Sequence, residues 1–186
     1  MTVQVIPPGQ AFSGPGDQRT WCDVTTHGSQ FRHLSPMLLG PVPLYAGMYS
    51  QNMENAWQYA KVYQGYEYAE RYFPWAQAGW LARRAERYPM GKGAIPLHSL
   101  WAGDELGYVD ARKRIYIPLY AQAVRFHALA LFLTLRQIAE HGDLVIVDFD
   151  AYDHHALGYS WDDVINDEKR KMGHGFVLAM MIEGVL

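Results

Sequence analysis

The residue types best suited to chemistry stand together on one predicted helix, residues 53–65. Glu54, Gln58 and Lys61 are separated by four and three positions, which puts a carboxylate, an amide and an ammonium on the same helix face. Asn52 is a preferred N-cap residue, and the helix dipole favours a charged carboxylate in the first turn. We therefore expect Glu54 to act as a base or as a stabiliser of positive charge. The same stripe is also compatible with an ordinary solvated face.

The elements around this helix predict the fold class. The periodicity of apolar residues and the positions of Pro and Gly residues indicate further elements. These are a helix over residues 74–88, a long central helix over 119–140, an internal strand over 143–149 and a buried helix over 173–183. We expect an α+β fold, a single compact and mostly helical domain of residues 21–186 around a small sheet. Residues 1–20 are expected to form an irregular lead with a short strand at 2–6.

Composition excludes several classes of protein. The 186 residues are 49% hydrophobic and 19% charged, which is too apolar for an intrinsically disordered chain. A net charge of −3 produces no overall basic field for nucleic acid. Cys22 is the single cysteine, so a disulfide framework and a cysteine-based zinc site are excluded and a cytoplasmic location is expected.

No membrane partner is expected from the sequence. The N-terminal residues lack the basic start and apolar core of a secretory leader. The longest apolar run, near residues 128–135, is far shorter than the roughly 20 residues that span a bilayer.

Two further clusters have alternative interpretations. Asp148, Asp150, Asp153, His154 and His155 lie close together and could ligate a divalent metal, but no known ligand spacing is reproduced, so we predict no metal and no cofactor. These acids more simply follow the end of a strand, where pockets often form.

The second cluster is basic. Arg112, Lys113 and Arg114 are flanked by Tyr108 and Tyr116, a mixture that can bind phosphate and stack bases. Three cations at a helix start are also common as a solvated collar, so nucleic acid is only a weak candidate partner. The oligomeric state stays open.

A longer pattern resembles a known superfamily. Leu34-Ser35-Pro36, a loop to Tyr49 and the helix Glu54-x-Ala56-Trp57-Gln58-x-Ala60-Lys61 resemble the NADAR (YbiA-like) superfamily over about thirty residues. This chain has Asn55 where that pattern has a His, Ser50-Gln51-Asn52 in place of Tyr-Pro-Ser, and Pro36-Met37 in place of Asn-Phe. The whole chain, including residues 111–120 and His174, is more similar to an uncharacterised bacterial and phage family.

The resemblance implies an N-glycosidase that hydrolyses a ribose–nitrogen bond in an ADP-ribosylated base or a related nucleotide. Glu54 would be the catalytic residue. For a second acid we choose Asp148, with Asp104, Asp110 and Asp150 as alternatives by type. The ligand, nucleotide or ADP-ribose-like, would lie between residues 34–52 and the Glu54 helix. The predicted ligand-binding residues are Ser35, Tyr49, Asn52, Trp57, Gln58, Lys61, Lys92, Trp101, Arg112, Tyr116 and His174.

Two other functions remain open at this point. The changed turn at residues 50–52 would suit a non-catalytic module that binds a nucleotide or a protein on the same fold. A phage enzyme that processes modified DNA bases or nucleotides is the third candidate, because a weak net charge argues against tight duplex binding but not against a nucleotide substrate.

Overall fold

The computed structural model describes residues 3–10 and 16–186. The chain divides into two compact units: unit 1 takes in the chain up to Ser35 together with Tyr120–Leu186, and unit 2 is Pro36–Leu119. About 41% of the chain is helix and 14% strand, which confirms the predicted α+β class. The predicted domain boundary at residue 21 and the YbiA-like relation stay predictions.

Unit 1 is built on a three-stranded parallel sheet. Strand β8 (Leu144–Val147) lies in the centre, between β1 (Val3–Ile6) and β2 (Thr20–Asp23), and both neighbours run parallel to it. All four residues of β8 are buried, as expected for a central parallel strand whose two faces are covered. The predicted internal strand and the short N-terminal strand are therefore confirmed.

Helices cover this sheet. Helix α7 (His174–Ile182) is buried at every position, which confirms the predicted final helix. Helix α6 (Trp161–Asn166) begins at a capping box in which the side chains of Ser160 and Asp163 each accept a backbone N–H of the other residue, an arrangement that satisfies two otherwise unpaired donors. Short 3-10 turns lie at Pro8–Gln10 and Arg32–Leu34.

The predicted central helix is two helices. Helix α4 (Ile117–His127) and helix α5 (Leu129–His141) are separated at Ala128, whose φ of −136° and ψ of 26° leave the helical region. Apolar residues continue through the break, so hydrophobic periodicity alone could not reveal it. Helix α3 (Tyr108–Ala111) and a π-helical turn, Arg112–Tyr116, lead directly into α4.

Unit 2 contains two small antiparallel sheets, three helices and the π-helical turn. The first sheet pairs β3 with β4, and the second has the order β5-β6-β7. In chain order the elements that precede α3 are β3 (Val42–Pro43), β4 (Tyr49–Ser50), α1 (Met53–Gln58), β5 (Lys61–Val62), α2 (Ala69–Leu81), β6 (His98–Trp101) and β7 (Asp104–Leu106).

Helix α1 is shorter than predicted. It begins at Met53 as expected but ends at Gln58, not near residue 65. The backbone oxygens of Ala60 and Val62 instead accept hydrogen bonds from the N–H groups of Leu100 and Leu97. Pairing with β6 therefore outweighs the local helical pattern, and Lys61 lies on strand β5 rather than on the helix.

The second predicted helix is displaced toward the N-terminus. Helix α2 spans Ala69–Leu81, with Pro74 inside it, instead of residues 74–88. The apolar pattern of the predicted helix puts both Trp80 and Leu81 inward. Trp80 is buried, but Leu81 is 51% exposed, so the predicted position of Leu81 is wrong. Gly79 packs directly on the ring of Tyr59, where any Cβ would overlap the ring atoms.

Among residues 3–10 and 16–186, no single helix combines the length and the apolarity needed to cross a bilayer. The bent pair Tyr108–His127 and Leu129–His141 meets both conditions only when its two arms are counted together.

Candidate functional site

The N-terminus of α1 is fixed by the chain that precedes it. Asn52 caps the helix, because its Oδ1 accepts from the N–H of Asn55 at 2.8 Å, as the sequence predicted. The N–H of Glu54 donates to the oxygen of Pro36 at 2.9 Å and that of Met53 to Leu39 at 2.8 Å. Three N–H donors of the first turn are thus satisfied, and the backbone of Glu54 has a defined position.

The Glu54 side chain is buried yet not sealed. It is 9% exposed, and its Oε1 accepts from Nε2 of Gln58 at 2.9 Å. Its Oε2 accepts no hydrogen bond from the described residues. Because a buried carboxylate is stable only with partners, the unused oxygen is the one available to a ligand or a water molecule.

Gln58 links the carboxylate to a cation. Its Oε1 accepts from Nζ of Lys61 at 2.7 Å, so the amide presents its donor to the anion and its acceptor to the ammonium. This orientation of the amide allows a charge-assisted hydrogen bond on each side of it. The predicted grouping of Glu54, Gln58 and Lys61 is therefore present, although Lys61 reaches it from a strand.

Aromatic rings adjoin this line of polar groups. Nζ of Lys61 lies 4.8 Å from the ring centre of Trp57, and the ring of Trp57 lies 5.1 Å from that of Tyr116 at an angle of 59°. These are distances at which cation–π and aromatic contacts stabilise a structure. We call the set Glu54, Trp57, Gln58, Lys61 and Tyr116 the Glu54 cluster.

A buried arginine borders the cluster. The guanidinium of Arg112 is 4.2 Å from the ring centre of Tyr108, whose ring centre lies 6.5 Å from that of Trp57. Arg112 is 1% exposed, so the interpretation of residues 112–114 as a solvated collar is wrong for Arg112. The π-helical turn directs this side chain inward. Tyr108 is 43% exposed. From the sequence it was noted only because it flanks the basic residues 112–114.

Asn55 has a role that the sequence did not reveal. Its Nδ2 lies 3.0 Å from the oxygens of Gly79 and Arg84 and 3.1 Å from that of Ala82, and its Oδ1 accepts from the N–H of Glu86 at 2.8 Å. The amide thereby holds the segment that follows α2. A fully buried asparagine inside a helix requires such partners, but the sequence alone does not show that Asn55 is buried.

Asp148 and His174 form a buried pair in unit 1. Nδ1 of His174 lies 3.2 Å from Oδ1 of Asp148, Nε2 of His174 lies 3.0 Å from the oxygen of Val24, and Oδ2 of Asp148 accepts from the N–H of Gly175 at 2.9 Å. The carboxylate thus lies at the start of α7, where a helix favours an anion.

The glycines on each side of His174 are required by this packing. A Cβ on Gly173 would overlap Oδ2 of Asp148, and one on Gly175 would press on Val5. Burial and the charge of Asp148 raise the pKa of the neighbouring Tyr120 well above its ordinary value, so its hydroxyl stays protonated and donates to the oxygen of Leu34 at 2.6 Å. The role of Asp148 as a second catalytic acid stays a prediction; Asp148 lies in unit 1 and Glu54 in unit 2.

Three other residues that were predicted to bind the ligand also lie in unit 2. Tyr49 is 47% exposed on β4, Lys92 is exposed between two glycines, and Trp101, at the end of β6, packs its ring 4.8 Å from that of Tyr45. In the described part of unit 2, none of these three makes a hydrogen bond, ion pair or ring contact with the Glu54 cluster. Ser35 is buried at the end of a unit 1 segment.

The acidic segment after β8 does not form a metal site. Within residues 3–10 and 16–186, no group of three or more His, Cys, Asp or Glu side chains converges closely enough to hold an ion. His154 instead packs its ring 4.3 Å from that of Trp161, and Asp150 lies 3.6 Å from Nζ of Lys171.

Comparison with known proteins identifies one match. Residues 13–156 match a family of unknown function, DUF6939. This range includes the Glu54 cluster and Asp148 but ends before His174. No curated protein and no solved structure matches the chain.

Proposed function

We infer from the Glu54 cluster that this chain, which belongs to the DUF6939 family, is an N-glycosidase. Its substrate class would be an ADP-ribosylated base or a related nucleotide, hydrolysed at the ribose–nitrogen bond. The observation that carries the proposal is the state of the Glu54 carboxylate: one oxygen is held by Gln58, and the other is left without a partner among the described residues.

The proposed chemistry needs a carboxylate in this state. When the bond between the ribose carbon and the nitrogen breaks, its electron pair leaves with the base, and the ribose develops oxocarbenium character. An oriented anion stabilises that positive charge. Water then adds its oxygen to the ribose carbon, the free oxygen of Glu54 accepts the water's proton, and a proton from solvent neutralises the departing base.

The neighbours of Glu54 supply what a nucleotide needs for binding. Lys61 and Arg112 are cations suited to phosphate, and the half-buried ring of Trp57, which packs on the buried ring of Tyr116, offers a surface for a flat base. These roles are part of the proposal. They are supported by successive contacts, in which Arg112 lies over the ring of Tyr108, Tyr108 adjoins Trp57, and Lys61 lies over the ring of Trp57.

We also propose that the protein acts in a reducing, cytoplasmic compartment. Cys22 is a free, buried thiol, and burial raises its pKa to about 11. Such a thiol is a poor nucleophile and a poor disulfide partner.

The test is the substitution Glu54→Gln, which removes the charge and keeps the shape. The purified variant and the wild type are incubated with ADP-ribosylated guanine nucleotides and with ADP-ribosylated DNA, and released ADP-ribose is measured by chromatography. We expect loss of release by about 100-fold or more, with the thermal midpoint unchanged within a few degrees.

A matched control is Glu70→Gln. Glu70 also lies in the first turn of a helix of unit 2, but it is exposed, so its variant should release product at the wild-type rate. Equal release by Glu54→Gln and wild type would disprove the proposal. Retention of substrate without release by the wild type would instead indicate the non-catalytic binding module.

A further inference from the structure

Residues 82–97 form an exposed loop of unit 2, here called the 82–97 loop. Its regular hydrogen bonds are two consecutive turns, from the N–H of Gly91 to the oxygen of Tyr88 and from the N–H of Ala94 to the oxygen of Gly91. Every residue from 90 to 95 is exposed. Six consecutive exposed residues indicate that the loop ends in a protruding tip and does not line a groove.

The tip carries apolar side chains that nothing in unit 2 covers. Ile95 is 85% exposed and Leu97 56%, with Tyr88 at 41% and Met90 at 37%. Single exposed apolar residues are common on protein surfaces, but a group of them marks an interaction site. Four large apolar side chains within ten residues form such a group.

The same loop is strongly basic. Arg83, Arg84 and Lys92 are exposed and Arg87 is half-buried, whereas Glu86 is the single acidic residue of residues 82–97. The carboxylate of Glu86 accepts from the hydroxyl of Tyr59 at 2.8 Å. The loop therefore has four cations and one anion in a chain whose net charge is −3, so its partner is expected to be anionic.

Both ends of the loop are anchored. Asn55 binds the backbone of Ala82, Arg84 and Glu86, and the N–H of Leu97 donates to the oxygen of Val62 at 2.8 Å. The tip is therefore presented without a large loss of conformational entropy on binding, which favours docking.

We propose that the 82–97 loop docks on an anionic lipid surface, with Ile95 and Leu97 entering the boundary between headgroups and acyl chains. Exposed apolar residues beside lysine and arginine are the features of interfacial membrane binding. A bilayer accepts a convex tip without a matching shape, whereas a stable protein interface buries about 800 Å² per partner. Base stacking needs aromatic faces, and the tip is mainly aliphatic.

This contact is different from a spanning segment. The sequence-based expectation of no membrane partner rested on the lack of an apolar run long enough to cross a bilayer, and a surface loop does not require one. The proposal is also independent of hydrolysis, because none of the loop residues belongs to the Glu54 cluster.

The experiment is co-sedimentation of the full chain with vesicles of phosphatidylcholine containing about one third phosphatidylserine, compared with vesicles of phosphatidylcholine alone. We expect binding to the anionic vesicles only, weakened by salt. The double variant Ile95→Ser/Leu97→Ser should bind them about tenfold more weakly or worse, with an unchanged thermal midpoint.

The control is Leu129→Ser/Leu133→Ser, which changes two exposed leucines of α5, 47% and 49% exposed. It should bind vesicles as the wild type does, and so should Glu54→Gln. Failure of the wild type to bind anionic vesicles, or equal binding by the Ile95/Leu97 variant, would overturn the proposal. It would also be overturned by a wild-type dimer that this variant dissociates, or by loss of single-stranded DNA binding with no effect on vesicles.

Discussion

Gln58 donates a hydrogen bond from its side-chain amide to Oε1 of Glu54, one helical turn earlier, at 2.9 Å. Because the amide oxygen is occupied by Lys61, the Gln58 side chain cannot rotate by half a turn without losing both bonds. The carboxylate is therefore oriented as well as buried, which is what electrostatic stabilisation of a transition state requires.

Replacing Gln58 by Leu should lower the turnover number of the proposed hydrolysis. The variant leaves Oε1 of Glu54 without its partner, so the carboxylate is no longer held in place. If the transition state loses stabilisation equal to one such bond, about 1–3 kcal/mol, the rate falls by about 5- to 150-fold. Steady-state kinetics would show a reduced kcat with a KM close to that of the wild type. The conservative variant Gln58→Glu should not restore activity, since it places a second carboxylate beside the first. A change in KM alone would indicate that Gln58 only contacts substrate.

Replacing Asn55 by Leu should strongly destabilise unit 2. The variant removes every side-chain contact from Asn55 to the backbone of Gly79, Ala82, Arg84 and Glu86, and buried groups left unpaired cost about 1–3 kcal/mol each. We expect a loss of at least about 3 kcal/mol in the free energy of unfolding, measured by urea denaturation. Gln137→Ala, at an exposed position of α5, should change stability by less than about 0.5 kcal/mol. A loss for Asn55→Leu as small as that would contradict the assigned role.

Two glycines at helix N-caps offer a matched test of the Asp148 pocket. Gly173 precedes α7 and Gly107 precedes α3, both with extended backbone and negative φ. A Cβ on Gly173 would overlap the Asp148 carboxylate, whereas one on Gly107 has nothing within 4 Å.

Gly173→Ala should therefore lose about 2 kcal/mol more stability than Gly107→Ala, since both share the modest cost of alanine at an N-cap but one also displaces a packed group. Thermal and urea unfolding of the two variants measure the difference. Equal losses would show that the pocket around Asp148 adapts freely.

The chain should lose stability in mild acid because of His154. Burial, together with the neighbouring His155, lowers the pKa of His154 to about 4, against about 6.5 in an unfolded chain. The folded state therefore binds fewer protons than the unfolded state between these two values. This contribution to stability is complete above pH 6.5 and is lost as the pH falls toward 4, by up to about 1.4 kcal/mol per pH unit.

Thermal midpoints measured at several pH values between about 4 and 6.5 would show how steeply stability falls with pH, and His154→Phe should reduce this slope. Asp153 and Glu183 also act on His154, but both raise its pKa and so oppose the effect. Gln137, which is exposed and carries no titratable group, offers a control, because Gln137→Ala should leave the slope unchanged. A wild-type slope that persists in His154→Phe would assign the acid sensitivity to other groups.

Local signals predicted the elements whose partners are nearby in the chain. The cap at Asn52 and the apolar strand β8 both depend on residue types within a few positions, and both are present. The end of α1 was missed because it is set by pairing with β6, which begins at His98. No local pattern contains that information.

The same difference between local and distant partners applies to the candidate site. The spacing of Glu54 and Gln58 predicted that their side chains share one helix face, and the structure adds the hydrogen bond between them. Asn55 was treated only as a departure from a pattern, because its partners lie 24 to 31 residues away. The burial of Arg112 was hidden by the π-helical turn, which shifts the face on which each residue of that turn lies.

The bonds made by Asn55 also have a structural consequence. One amide side chain joins the first turn of α1 to the start of the 82–97 loop, so two segments that are distant in the sequence share one buried anchor.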